Sequence, residues 1–140
     1  MMKRISNQRG AALIETAITL PLVLLVSVSI FEFGRAYQTW QVLTNAAREG
    51  ARIAVLPDYT DAQVTSTVRN YLTSGQLTNA AGASITVARN EPFGPATASR
   101  VTVNYPFQFM VLNPVARLVQ SSSTAGTPLT MQSSALMRNE

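Results

Sequence analysis

Ala11 to Phe33 read AALIETAITLPLVLLVSVSIFEF, and the rest of the chain is best understood from that stretch outward. It is a run of apolar and small residues long enough, at about 1.5 Å per residue, to cross a hydrocarbon core of about 30 Å as one helix. Lys3, Arg4 and Arg9 stand ahead of it, whereas the far flank offers Glu32 and Arg35. The excess of Lys and Arg before the segment predicts an N-terminus in the cytoplasm and everything after the segment outside, as a single-pass anchor in the lipid bilayer carrying a small extracytoplasmic domain. An ordinary signal peptide shares this layout, with Ser27 and Ser29 as small residues at a cleavage site. Glu15 opposes that reading, because an ionisable group inside the apolar core of a signal sequence would cost a few kcal/mol with no return.

The helical pattern continues past Phe33. Phe33, Tyr37, Trp40, Thr44, Ala47, Ala51 and Ala54 fall at alternating four- and three-residue steps, which predicts one helix from Ala11 to about Val55, a rod on the order of 65 Å long. Its only interruptions are Pro21 and Gly34, and Pro57 ends it. Pro21 removes one backbone hydrogen bond, which permits a kink or local melting; membrane helices also simply tolerate proline. Ala46, Gly50 and Ala54, with Ala47 and Ala51, form a small-residue face that lets another backbone approach closely. Such a face fits the protein's own small domain as well as it fits another subunit.

Composition narrows the chemistry. With 140 residues and no Cys or His, the chain has no thiol nucleophile, no imidazole base and none of the commonest zinc ligands. No cofactor is expected. The net charge of +4 does not describe a binding surface, since from Ala11 onward eight Arg face seven Asp plus Glu. The basicity belongs to the leader and does not predict nucleic-acid binding. Asp58, Asp61 and Glu91 sit at expected turn or cap positions without a recognisable catalytic partner, a poor basis for a hydrolase.

Beyond Pro57 the pattern predicts a small α+β domain over 57–140. Asp61 is the expected N-cap of a helix over 62–74 with Val64, Val68, Tyr71 and Leu72 on one face, closed by Gly75. Ser84 to Arg89 and Arg100 to Tyr105 alternate as half-buried strands around a turn at Asn90 to Pro95, and Phe107 to Leu112 either extends the second strand or bends away. Asn113-Pro114 starts a short helix through Val119, Ser121 to Gly126 reads as a polar linker, and Leu129 to Met137 is a last strand. The expected sheet has three or four antiparallel strands, with one face on the helices.

The unit that bears on function is Arg9-Gly10-Ala11-Ala12-Leu13-Ile14-Glu15. It resembles a type IV prepilin cleavage site, which implies that a membrane-embedded aspartyl prepilin peptidase cuts the Gly10–Ala11 bond, removing a leader of residues 1–10. Glu15 has a physical reason of its own: residues i and i+4 share a helix face, so it lies about 6 Å from the ammonium that such a cut would create on Ala11. A neighbour's ammonium can later replace that partner and set the register between subunits; the plain alternative is a glutamate that reaches back to the cytoplasmic headgroups.

Together with Leu20-Pro21-Leu22, Phe31-Glu32-Phe33-Gly34-Arg35 and Leu43 to Arg52, this unit is similar to the N-terminal signature of the TadE-like family over about the first 55 residues. The resemblance implies a pilin-like architecture and a minor pilin or pseudopilin of the tight-adherence (Tad, Flp or type IVc) pilus system. It also implies roles in pilus assembly, adherence and biofilm formation, with other Tad pilus subunits as partners. Thr16, where better-known type IV pilins have tyrosine, favours TadE-like proteins over the major Flp pilin, as does the added domain.

Overall fold

One helix, α1 (Gln8–Ala54), accounts for 47 residues, about 70 Å of rise. The computed structural model describes residues 8–119 and 127–139; most of the expected leader and the linker over 121–126 lie outside the described residues. The helix runs unbroken through Pro21 and Gly34. In its apolar half the hydroxyls turn back on the helix. Thr16 donates to the Ala12 carbonyl at 2.9 Å, Thr19 to Glu15 at 2.8 Å, Ser27 to Val23 at 2.8 Å and Ser29 to Leu25 at 2.8 Å. The hydroxyl side chains in this stretch therefore need no outside partner, which is what makes them compatible with hydrocarbon. Its large apolar side chains, by contrast, point away from the rest of the chain: Leu13 and Ile18 are each 71% exposed.

The second half of α1 is a core element. Ala36, Leu43, Ala46, Ala47, Ala51, Ile53 and Ala54 are buried against α2 (Asp61–Ser74) and a sheet of β1 (Ser84–Phe93), β2 (Ala96–Phe107) and β3 (Leu129–Arg138). The fold is α+β, and the strand order is β1-β2-β3 with both pairings antiparallel. From Val101 onward β2 alternates strictly, burying Val101, Val103, Tyr105 and Phe107 toward the helices. The opposite face is polar, with Thr102 bonded to Ser134 and Asn104 to Ser84. Pro106 sits where β1 no longer runs alongside β2, so its missing N–H interrupts no ladder on that side.

The helix face that meets the core is not the aromatic one. Phe33, Tyr37 and Trp40 stay exposed, while the buried line runs through Glu32, Ala36, Thr39 and Leu43, one residue earlier in each turn. The physical reason is size: two layers pack closely on α1 where it presents alanine and glycine, not where it presents rings.

Three local readings also change. The N-cap of α2 is Thr60, whose hydroxyl accepts from the Gln63 amide while the Gln63 side chain accepts from the Thr60 amide, a reciprocal capping box that Asp61 cannot form. Tyr71 is 39% exposed, and Val64, Val68 and Leu72 alone make the buried face of α2. At the far end Gly75 closes α2 as its C-cap, as expected, but it does not supply the left-handed turn. Gln76 does, at φ 59°, with its amide bonded to Thr73 and that of Leu77 to Leu72. Gly75 is needed for a different reason: a Cβ there would lie 2.5 Å from Val42 Cγ1 of α1.

Finally, Asn90 does not open the hairpin turn. It takes φ 58° at a bulge between Ala88 and Glu91, β1 continues to Phe93, and the turn is Gly94-Pro95. On the bulged segment the Arg89 guanidinium donates to the Ala54 carbonyl at the end of α1 (2.7 Å), the Tyr59 carbonyl (2.7 Å) and the Asp61 carboxylate (2.6 Å). One side chain thus holds the α1–α2 corner and satisfies a helix-terminal carbonyl.

Candidate functional site at the head of the helix

The apolar half of α1 begins at Gly10, and Ala11 to Glu15 form its first full turn beyond it. Ala11 and Glu15 share one face, and both are exposed. Among the described residues no cation pairs with the Glu15 carboxylate, and its surroundings along the helix are Leu13, Ile14, Ile18 and Leu20, all more than half exposed. The arrangement is a carboxylate one helical turn from the Gly10–Ala11 bond, on a rod that no other described part of the chain covers. Chemically such a group can accept from a cation; among the described residues no base or metal ligand stands beside it. Pro21 lies further along the same uncovered stretch, within continuous helix.

The small-residue face lies elsewhere and does something different. Ala46, Ala47, Ala51 and Ala54 are at most 1% exposed, and a Cβ at Gly50 would fall 2.5 Å from Val68 Cγ2 and 3.1 Å from Val101 Cγ1. These positions bring α1 close to α2 and β2 within one molecule. While the domain is folded, they are not available to a second subunit.

Between the two regions lies a cluster that the sequence reading passed over. Glu32 is buried, and its carboxylate accepts from the Met110 amide at 2.9 Å, the Val111 amide at 3.0 Å and the Arg35 guanidinium at 3.1 Å. Arg35 also donates to the Gln108 carbonyl and stacks over the Phe107 ring, 4.7 Å from its centroid. Glu32 thereby ties the β2–α3 loop, ahead of α3 (Leu112–Val119), to the point where α1 first meets the domain. A charged pair three residues apart at the edge of an apolar run was the visible signal. Nothing in the sequence named its backbone partners.

Two of the remaining carboxylates are structural. Asp61 pairs with Arg89 at 2.6 Å, and Glu91 with Arg100 at 2.7 Å. A cleft of about 890 Å³ opens beside Arg35, Gln38, Asn79 and Phe107, and no carboxylate is among the described residues that line it.

Residues 10–52 match the family model described as TadE-like protein. Over that stretch the chain is similar to TadE-like proteins. The match begins at Gly10 and ends at Arg52, two residues before α1 does, so the TadE-like region is α1 itself: the uncovered apolar half, the Glu32–Arg35 cluster and the small-residue face. TadE-like proteins are a structural family associated with the Tad pilus, and the long apolar N-terminal helix fits a single-pass membrane anchor. The α2, β-sheet and α3 portion lies outside the match. Neither the curated proteins nor the solved structures offer a match to the chain.

Proposed function

We infer that the protein is a minor pilin or pseudopilin of a Tad (Flp, type IVc) pilus system. A prepilin peptidase cuts it between Gly10 and Ala11 on the cytoplasmic side of the inner membrane, and the domain stands outside. The observation that supports this most is the coincidence at the head of the TadE-like helix: Gly10 opens an uncovered apolar rod and Glu15 follows one turn after Ala11, unpaired by any cation among the described residues. A buried, unpaired carboxylate in hydrocarbon is unfavourable by several kcal/mol or more. The Ala11 ammonium made by cleavage relieves it within one molecule, and a neighbouring subunit's ammonium relieves it in an assembly. Glu15 then sets axial register with other Tad pilus subunits, and the protein contributes to pilus biogenesis, adherence and biofilm formation.

The test is Glu15→Gln in the native host, followed by in vivo crosslinking and recovery of surface filaments. The expected result is a chain that is processed and membrane-inserted but lost from crosslinked complexes, with adherence reduced. Unchanged crosslinks would remove Glu15 from assembly. A second reading, an unprocessed single-pass anchor for an extracytoplasmic binding domain, draws on the cleft beside Arg35 and predicts an intact leader on the mature protein.

A further inference from the structure

The Glu32 cluster fixes a depth as well as a fold. From Ala11 to Phe31 no residue of α1 is buried by the rest of the chain, and that length of helix rises about 30 Å, the thickness of a hydrocarbon core. Among the described residues Glu32 is the first buried one. Its carboxylate holds the Met110 and Val111 amides at 2.9 and 3.0 Å, so the β2–α3 loop lies at the level where the apolar rod ends. There Met110 is 65% exposed and Val111 44%, and on α1 the residues either side of Glu32 are exposed too, Phe31 at 80% and Phe33 at 62%. Phe109 sets its ring edge-on to Phe33 at 5.9 Å and to Phe107 at 5.1 Å, which fixes the loop's direction against the helix.

Large apolar side chains from two distant segments thus lie at one height, uncovered by any described part of the chain. An aromatic and aliphatic group at that height is what a membrane–water interface accommodates. We propose that the β2–α3 loop is a second membrane contact, with Met110 and Val111 seated in the extracytoplasmic leaflet's interface beside Phe31 and Phe33. The partner is the phospholipid surface around the protein's own anchor. The inference rests on the reading of α1 as a membrane span. Its consequence is that the domain does not sway on a free rod: Glu32 and the loop hold it against the bilayer at a fixed height.

The chain has no Cys, so single-cysteine variants of the full chain report one site each. Nitroxide labels at Met110→Cys, Val111→Cys, Val23→Cys and Thr86→Cys, in phosphatidylcholine–phosphatidylglycerol nanodiscs holding one copy, are compared by collision with oxygen and with a water-soluble nickel chelate. Val23 lies mid-span, and Thr86 is exposed on β1. The expected result is an oxygen-to-nickel accessibility ratio at 110 and 111 several-fold above that at 86 and approaching that at 23. Ratios at 110 and 111 equal to that at 86, with 23 high, overturn the proposal and leave the anchor standing. Labels at 110 and 111 shielded from both reagents mean protein covers the loop, which also overturns it. A ratio at 23 equal to that at 86 brings down the anchor and the proposal together.

Discussion

Arg89, Gln76 and Glu32 show what single side chains do here. Arg89 spends its donors on Ala54, Tyr59 and Asp61, two of them backbone carbonyls at the corner between helices. Charge-assisted hydrogen bonds of this kind contribute about 1.5–3 kcal/mol. Arg89→Ala should therefore lower the stability of the detergent-solubilised chain by about 2–3 kcal/mol in denaturant titrations read by circular dichroism, and Arg89→Lys should recover only part, since an ammonium cannot reproduce the planar fork. Gln76 works against its own conformational preference at φ 59°. Gln76→Gly should accordingly raise stability by up to about 1 kcal/mol in the same titration. Glu32→Ala strands two amides and a guanidinium and should cost about 3 kcal/mol or more, with Glu32→Gln intermediate because it keeps an acceptor oxygen.

Glu49 gives the pH dependence a sign. The hydrogen bond from Arg52, at 2.6 and 2.9 Å, outweighs partial burial and holds the Glu49 carboxyl below its usual value of 4.5. Folding is then favoured by the ionised form: the contribution is present above the unfolded value and disappears as pH falls through the lowered one. Because the pair is exposed and screened, Glu49→Gln should flatten the acid limb of the stability profile only slightly.

Among the elements, α1 was the most legible because an apolar run of membrane-spanning length is a composition signal that needs no tertiary context. Its contact face was not. The aromatic residues repeat at helical spacing as a core stripe would, but spacing cannot say whether a stripe faces protein or something else, and Phe33, Tyr37 and Trp40 face outward. The small residues carried the correct information, since close approach requires them whoever the partner is. This yields a paired prediction. Gly50→Ala puts a Cβ into Val68 and Val101 and should destabilise by about 1–3 kcal/mol, whereas at Gly34 nothing lies within 4 Å, and Gly34→Ala should gain about 0.5–1 kcal/mol from helix propensity. Thermal melts of both variants check the contrast. The alternation of β2 was readable for similar reasons. The bulge at Asn90 was not, because asparagine in a left-handed conformation looks alike in a turn and in a bulge, and the role of Arg89 depends on that bulge. The candidate site was legible in its local part, Gly10, Ala11 and Glu15, whose relation needs only helical geometry. The Glu32 cluster was hidden because its acceptors are met by amides from the far end of the chain.

At the scale of the whole molecule, the rod and the domain are not separable at Pro57. The core takes Leu43, Ala46, Ala47, Ala51, Ile53 and Ala54 from α1. A fragment beginning at Glu32 should fold and show a cooperative transition, while one beginning at Pro57 should not, a difference that hydrogen exchange or circular dichroism would read directly. What the N-terminal half adds is an uncovered apolar surface far larger than a soluble protein tolerates, with one carboxylate near its head. In the proposed function this head is made by cleavage after Gly10 and used through Glu15. The most direct measurement is the intact mass and N-terminal sequence of the protein isolated from native membranes, with and without the prepilin peptidase. The account predicts a chain starting at Ala11 that reverts to the full leader when the peptidase is absent. A leader still attached in the peptidase-positive strain, or a start at Ile30, would contradict it.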